Sequence, residues 1–211
     1  MRRRRIAGAL DKFLSYQSYA LLDDGQTNIK LKKFAEGADL HVEVGSGRGG
    51  FLCQMAQLYP DKKFVGIELK EELLISAVEK AAVAELDNLI FVRGYAENFQ
   101  KWFEDIAIQT LYLNFVDPWP RRRNARKRLT HSNYLKLYKS RMKRNAELIF
   151  KTDNRYLYLF SIVELAKFFK VVSSTHNLYA VGDPANVATE YEKRYVAQGK
   201  NIYRIICNNE E

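Results

Sequence analysis

The sequence predicts an α/β fold with a mostly parallel seven-stranded sheet and helices on both faces. Two observations carry this prediction. Short runs rich in β-branched and aromatic residues alternate along the chain with longer segments of helical periodicity. A glycine-rich turn also follows the first of these runs, where a helical segment begins. Such alternation is typical of parallel sheets, because a crossover helix must separate two parallel strands.

Seven segments have the composition of strands. They are residues 40–45, 64–69, 89–94, 111–117, 146–153, 170–175 and 202–207. Four intervening segments carry apolar residues at helical spacing. They are residues 49–59, 71–85, 131–142 and 155–169. Ligands of such sheets bind at the carboxyl ends of the strands, so the residues directly after each strand are the candidates for chemistry.

Length and composition bound the class of protein. A chain of 211 residues with 47% apolar content can bury one core. We therefore expect a single folded domain, placed at residues 40–211, after a basic N-terminal arm with a lead-in helix in residues 1–39. No apolar stretch reaches the roughly 18 residues of a membrane span, and no secretory signal is recognisable, so a cytoplasmic protein is expected. Cys53 and Cys207 are far apart without other ligands at metal-binding spacing, which favours buried thiols and no metal.

Two segments account for the positive charge. The net charge is +9, while Arg2 to Arg5 supply four cations and residues 121–128 supply six. Clusters of one sign in an otherwise nearly neutral chain create a field that attracts a polyanion. Nucleic acid is therefore the expected partner, and residues 121–128 are the expected contact. For the arm, a soluble terminus and a binding arm remain equally good interpretations.

The glycine-rich turn indicates a ligand at the end of the first predicted strand. Gly45, Gly47 and Gly49 allow a tight turn and close approach to a ligand at the start of the following helix. Gly45, Gly47 and Gly50 also satisfy the dinucleotide fingerprint, which keeps an oxidoreductase using a dinucleotide as an alternative.

Two carboxylates flank this turn. Glu68 stands near the end of the second predicted strand, where an acid can accept hydrogen bonds from both hydroxyls of a ribose. Glu43 lies two residues before Gly45 and shares its side of the strand, so it can place a second carboxylate by the ligand. These positions predict a nucleoside-containing cofactor without fixing the reaction.

The fourth predicted strand is followed by a rigid hinge. Pro118 and Pro120 restrict the backbone around Trp119, so Asp117 is held at the rim of the sheet beside a flat aromatic surface. An acid and a flat wall suit an enzyme that methylates a nitrogen of a planar base, whereas a dehydrogenase has no need of them. The six cations that follow can hold the surrounding nucleic acid.

Several segments resemble one known family. They are "VEVGSGRGGF" (42–51), "FVGIEL" (64–69), "LNFVDPWPRRRNARKRLTH" (113–131), "FKTDNR" (150–155) and "TEYEKRY" (189–195). Together they look like the tRNA (guanine-N7-)-methyltransferases. The resemblance implies a Rossmann-like class I methyltransferase fold, S-adenosylmethionine as the cofactor and tRNA as the substrate. It further implies methylation of N7 of the variable-loop guanine.

The resemblance also implies roles for individual residues. The cofactor would be bound by Glu43, Gly45, Gly47, Gly49, Glu68, Tyr95 and Asp117, and Asp117 would lie at the site of methyl transfer. The substrate would be bound by Arg121, Asp153, Thr189, Glu190, Tyr191 and Glu192. The RNA would be contacted by Arg123, Asn124, Ala125, Arg126, Lys127 and Arg128. Two positions depart from the family pattern, because Arg121 replaces a common lysine and Tyr95 replaces a common acid at the adenine end.

The implied chemistry needs no strong base. The N7 lone pair of guanine lies in the ring plane and carries no proton, so positioning and a nearby carboxylate are the useful devices. Asp117 is expected to accept from the guanine N1–H and exocyclic amine, with Asp153 as a second acceptor. An oxidoreductase and an inactive RNA-binding protein stay as alternatives. No obligatory protein partner is expected, and the sequence does not decide between a monomer and a homodimer.

Overall fold

The computed structural model of the chain describes residues 8–210, so Arg2 to Arg5 lie outside the described residues. The strands are β1 (Ala20–Leu22), β2 (Leu40–Val44), β3 (Lys63–Glu68), β4 (Leu89–Arg93), β5 (Ile108–Asn114), β6 (Met142–Thr152), β7 (Lys170–Thr175) and β8 (Tyr203–Asn208). The α-helices are α1 (Ala9–Leu14), α2 (Thr27–Ala35), α3 (Gly50–Leu58), α4 (Glu71–Val83), α5 (Phe99–Trp102), α6 (Ser132–Lys139), α7 (Arg155–Leu165), α8 (Leu178–Val181) and α9 (Glu190–Ala197).

The strands form one sheet in the order β1-β4-β3-β2-β5-β6-β8-β7. All neighbours from β1 to β6 are parallel, and β8 inserts antiparallel between β6 and β7. The chain winds outward from β2 in one direction through β3 and β4, and in the other through β5 and β6. The carboxyl ends of β2 and β5 therefore flank the crevice where such sheets bind ligands.

Helices cover both faces of the sheet, which confirms the predicted fold class. One buried cluster unites the sheet with α2, α5, α6 and α7 through residues such as Leu31, Trp102 and Leu135. A second cluster, on the other face, contains Phe13 from α1 together with apolar residues of α3 and α4. Strand β2 is buried along its whole length because it lies in the middle of the sheet and is covered on both sides.

The sheet has eight strands in the described part of the chain, whereas the sequence pattern indicates seven. The additional strand β1 has only three residues and pairs with β4 at the edge of the sheet, with Ala20 opposite Phe91. A segment this short has too few residues for a recognisable alternation. Residues 9–35 thus contribute helix α1 to the core and strand β1 to the sheet.

Strand β5 ends earlier than the sequence indicates. The predicted strand 111–117 includes Asp117, but β5 stops at Asn114. Phe115 has φ 51°, a left-handed conformation that an extended strand cannot continue through. Asp117 therefore lies on a loop beyond the strand end, at the carboxyl edge of the sheet.

Candidate active site at the centre of the sheet

A cavity of about 470 Å³ opens at the carboxyl ends of β2, β3, β4 and β5. Its lining includes eight of the residues that the sequence singles out, contributed by the end of β3, by the segments after β2, β4 and β5, and by α9. They are Gly45, Gly47, Glu68, Tyr95, Asp117, Trp119, Lys127 and Tyr191. The remaining surface is largely apolar and includes Ile67, Leu69, Leu73, Val116 and Leu129. An apolar slot with a few polar groups at its rim is typical of a nucleoside site.

The glycine-rich turn is built for close approach. Gly45, Gly47 and Gly49 have φ of 83°, 55° and 70°, values that residues with a Cβ seldom adopt. Gly49 does not line the cavity. A Cβ there would lie 2.7 Å from the Cβ of Ala77 and 2.7 Å from the Phe91 ring, so the residue permits α3 to pack tightly on the sheet.

The Glu68 carboxylate is held in place by backbone amides. Gly47 N–H donates to Oε2 over 3.1 Å, while Leu69 N–H and Lys70 N–H donate to Oε1 over 2.8 and 3.0 Å. Three such bonds fix the carboxylate before any ligand binds, and Oε2 keeps acceptor capacity toward the cavity. This geometry suits the recognition of a ribose hydroxyl.

Glu43 belongs to a group of buried polar atoms beside the main cavity. It is only 3% exposed, and its Oε1 accepts a hydrogen bond from Asn114 Nδ2 over 2.9 Å. Its Oε2, the Asn114 Oδ1 and the Ser46 Oγ have no partner among the described residues. These atoms adjoin a small cavity of about 60 Å³ that Tyr191 and Phe115 share with the larger one. Three acceptors without donors fit a ligand group with several N–H bonds, such as an ammonium.

Burial sets the protonation of this carboxyl group. Desolvation raises the pKa of Glu43 from its ordinary value of 4.5 to about 8, and the bond from Asn114 offsets only part of that effect. Glu43 is therefore mostly protonated at neutral pH in the protein alone. A cation placed against it would favour the ionised form.

The backbone is strained on both sides of Asp117. Phe115 and Trp119 have φ of 51° and 41°, which are unusual values for aromatic residues. Phe115 N–H donates to Lys151 O over 2.8 Å, which fixes the first of these positions against β6. Asp117 itself is exposed and lines the cavity. Strain that persists around an exposed acid is typical of a functional loop.

The opposite end of the cavity contains an acid that the sequence reasoning missed. Tyr95 lines this end but is 55% exposed. Glu97 also lines it, and Tyr134 Oη donates to Glu97 Oε1 over 2.7 Å. The signal for Glu97 is its place just after β4, although its short 3-10 helix has no periodicity that would orient it.

The segment 189–192 forms the amino-terminal end of α9 and is held in place by hydrogen bonds and ion pairs within the protein. Thr189 caps the helix, and Glu192 completes a capping box. The Glu192 carboxylate is fully buried and accepts from Lys151, Tyr179, Asn186 and the Thr189 amide. Glu190 pairs with Lys80 of α4. Tyr191 is the member that lines both cavities. Direct contacts of this segment with a substrate stay a prediction.

The basic run lies beside the hinge on a short 3-10 helix, Arg122–Lys127. Five of its six cations are exposed, and they are Arg121, Arg122, Arg123, Arg126 and Lys127. Lys127 Nζ lies 4.9 Å from the centre of the Trp119 ring, while Asn124 and Ala125 are half-buried. Arg128 is half-buried and points inward to the hinge. Contacts with RNA in this run stay predictions.

Two further sets of residues that the sequence singles out do not line either cavity. Asp153, after β6, forms an ion pair with Lys200 over 3.1 Å through Oδ2, which leaves acceptor capacity on its carboxylate for a substrate. Cys53 and Cys207 are buried and unpaired as predicted, and burial raises the pKa of these thiols to about 11 and about 12. Residues 8–210 contain no cluster of three metal-ligating side chains. No helix within that range is long and apolar enough to span a bilayer.

The strand order, the glycine-rich turn and the carboxylate at the end of β3 together define the fold of a class I methyltransferase. The comparison with solved structures agrees with this fold, since a structure titled "Structure of an antibiotic related Methyltransferase" superposes with a TM-score of 0.64 at 20% identity. The superposition covers 86% of this chain and 94% of that one. A family described as "Putative methyltransferase" matches residues 37–205.

Comparison with curated proteins identifies the family. The tRNA (guanine-N(7)-)-methyltransferase of Clostridioides difficile is 40% identical over 210 residues, which cover 97% of both chains. The enzyme of the same name from Geobacillus kaustophilus is 36% identical and covers 97% of this chain and 95% of its own length. The chain belongs to the tRNA (guanine-N(7)-)-methyltransferase family.

Proposed function

We propose that this protein transfers the methyl group of S-adenosylmethionine to N7 of a guanine in tRNA. One observation carries the proposal within the family. The exposed Asp117 lines a nucleoside-sized cavity together with the fixed Glu68 carboxylate and Lys127 of the exposed run of cations. A cofactor, a flipped base and an RNA backbone can thus be held next to one another.

The cavity residues fit S-adenosylmethionine. Glu68 would accept the ribose hydroxyls, and the apolar surface near Leu69 and Leu73 would cover the adenine. The unpartnered acceptors of Glu43, Ser46 and Asn114 would receive the ammonium group of the methionine part. When bound, the cofactor supplies a methyl carbon whose bond to the sulfonium sulfur breaks as its bond to guanine N7 forms, leaving a thioether and a cationic purine.

Asp117 would orient the guanine and stabilise the charge it gains. Its carboxylate can accept from N1–H and the exocyclic amine, a pattern that adenine does not offer. Because N7 carries no proton, no residue of the chain has to act as a base. The negative charge of Asp117 also favours the positive charge that develops on the purine. Trp119 and Tyr191, which line the cavity, offer flat surfaces for a base that has left its stack.

The exposed cations would fix the RNA around the reacting guanine. Arg121, Arg123, Arg126 and Lys127 stand in or next to one short helix, directly after the hinge. Phosphate contacts at such a place position the nucleic acid, while Asp117 supplies the choice of base. The family relation makes the variable-loop guanine of tRNA the proposed target.

Transfer of tritiated methyl groups to unmodified tRNA, followed by borohydride and aniline cleavage, tests the product and its position together. We expect one cleavage site, in the variable loop. Asp117→Ala should lower the rate roughly 100-fold or more, as loss of a fixed polar contact typically does. Its affinity for S-adenosylhomocysteine should change little, and Asp117→Asn is the matched control for shape. A chain that binds NAD instead of S-adenosylhomocysteine would be the oxidoreductase, and one that binds tRNA without methylating it would be inactive.

A further inference from the structure

Arg128 differs from the other five cations of the basic run because it donates hydrogen bonds to the backbone of the hinge. Its Nε donates to Pro118 O over 3.0 Å and its Nη2 donates to Trp119 O over 3.1 Å. One edge of the guanidinium therefore donates hydrogen bonds to two consecutive carbonyl groups, which belong to the two residues that follow Asp117. The planar fork of arginine allows this double contact, which a lysine ammonium cannot reproduce in the same geometry.

The hinge needs such support because its conformation is unfavourable. Trp119 has φ 41° and is followed by Pro120, although a residue before proline prefers an extended conformation with negative φ. A bulky residue in the left-handed region persists only where its surroundings hold it there. The two bonds from Arg128 lie on the carbonyl groups on either side of the Trp119 Cα, so they fix both adjoining peptide planes.

Arg128 is itself anchored to the scaffold. Its guanidinium carbon lies 4.4 Å from the centre of the Phe160 ring on α7. The residues that follow it are tied to the same helix, since Thr130 Oγ1 lies 2.7 Å from Ser161 Oγ and Ser132 bonds to Glu164. Arg128 thus connects the strained hinge to a helix that packs in the core.

We propose that Arg128 is a positioning residue, which holds the Pro118–Trp119 hinge on α7 and thereby places Asp117, and that it is not a phosphate contact like its neighbours. This role rests on the proposed function for its effect on methyl transfer. The state of the hinge and the binding of tRNA do not depend on that function and can be measured separately.

The test compares Arg128→Ala with Arg126→Ala, a matched removal of an exposed arginine two residues away. Arg128→Ala should lower kcat by roughly 10- to 100-fold, the scale of a small misplacement of a catalytic group. It should leave KM for tRNA and the dependence of tRNA affinity on salt nearly unchanged. Arg126→Ala should instead flatten that dependence by about 0.7 to 0.9 log units for one lost phosphate contact. Millimolar methylguanidine should restore part of the kcat of Arg128→Ala and none of the activity lost in Arg126→Ala.

Trp119 provides a second readout that needs no activity. The chain has two tryptophans, and Trp102 is buried in the core, so Trp102→Phe leaves Trp119 as the sole tryptophan, whose emission can be excited selectively over that of the tyrosines. In that background, Arg128→Ala should shift the Trp119 emission, and methylguanidine should reverse the shift.

If Arg128→Ala does not fold, Arg128→Gln, which keeps one amide donor, should show the same changes at smaller size. A flattened salt dependence with unchanged emission and kcat would overturn the proposal and make Arg128 a phosphate contact. Wild-type protein without methyl transfer would overturn the proposed function and leave the fluorescence and salt measurements to decide on Arg128.

Discussion

The ammonium group of Lys151 lies 2.7 Å from the Glu192 carboxylate, and the two side chains are only 3% and 0% exposed. The pair joins β6 to the first turn of α9, the segment that carries Tyr191 into the candidate active-site cavity. Burial lowers the pKa of Lys151, and the charge of Glu192 opposes that effect. With four donors on its carboxylate, Glu192 has its acceptor capacity filled from within the protein.

Breaking this ion pair should be costly. Glu192→Gln leaves the Lys151 charge buried without its partner, and the free energy of unfolding should fall by about 3 to 5 kcal/mol. Lys151→Met should cost a similar amount, because it isolates the Glu192 carboxylate instead. The double variant should lose clearly less than the sum of the two, since neither charge remains. Urea unfolding of the four proteins gives the coupling, and strict additivity would mean that the two groups do not interact in solution.

The buried carboxyl of Glu43 should make stability depend on pH. Its pKa is raised from 4.5 to about 8 in the folded protein, so the folded state retains a proton that the unfolded state releases. The stability contributed by the neutral group is complete below pH 4.5 and is lost as pH rises toward 8. In that window the stability of wild type relative to Glu43→Gln should fall by at most about 1.4 kcal/mol per pH unit.

Thermal or urea unfolding of wild type and Glu43→Gln across this pH range measures the difference. The glutamine variant preserves the shape and the contact with Asn114 but cannot titrate. A difference between the two proteins that stays constant with pH would show that Glu43 is already ionised at neutral pH. In that case the buried negative charge of Glu43 would need a positive partner in the protein even without a ligand.

Much of this arrangement is predictable from the sequence, for identifiable reasons. The seven longer strands, and their alternation with helices along the chain, follow from local composition. The glycine-rich turn and Asp117 mark the edge of the sheet where the strands have their carboxyl ends. The pairing of Glu43 with Asn114 is not predictable, because it depends on the register of β2 against β5. The separate role of Arg128 is also hidden, since a linear run of cations does not reveal which one faces the protein. Strand β1 is too short to leave a pattern.

The exposed cations of the basic run should determine how strongly tRNA binding responds to salt. Replacing Arg123 and Arg126 by alanine should flatten the salt dependence by about 0.7 to 0.9 log units for each phosphate contact removed. The affinity for S-adenosylhomocysteine should not change, because neither residue lines the cavity. Lys33→Ala is a matched control, since Lys33 is an exposed cation near the amino ends of the strands. Equal salt dependence in all variants would show that the run is only solvated.

Glu68 and Tyr95 line the same cavity but should contribute very differently to cofactor binding. Glu68 is fixed by three backbone amides and can offer charge-assisted hydrogen bonds to a ribose, whereas Tyr95 is 55% exposed. Glu68→Ala should raise the Kd of S-adenosylmethionine roughly tenfold to a hundredfold, because it removes both the contact and the support of the glycine-rich turn. Tyr95→Phe, which deletes only a hydroxyl, should change the Kd by less than about threefold.

Titration calorimetry with S-adenosylmethionine in the absence of tRNA measures both effects without turnover. Glu68→Gln separates the two functions of Glu68, since the amide keeps the size of the side chain but loses its charge and replaces one acceptor by a donor. It should weaken binding less than Glu68→Ala if the side chain mainly supports the turn, and equally if the charge is what holds the ribose. If Tyr95→Phe weakens binding as much as Glu68→Ala, the tyrosine hydroxyl contacts the adenine directly. The exposed Tyr95 side chain would then have to turn inward, toward Glu97, when the cofactor binds.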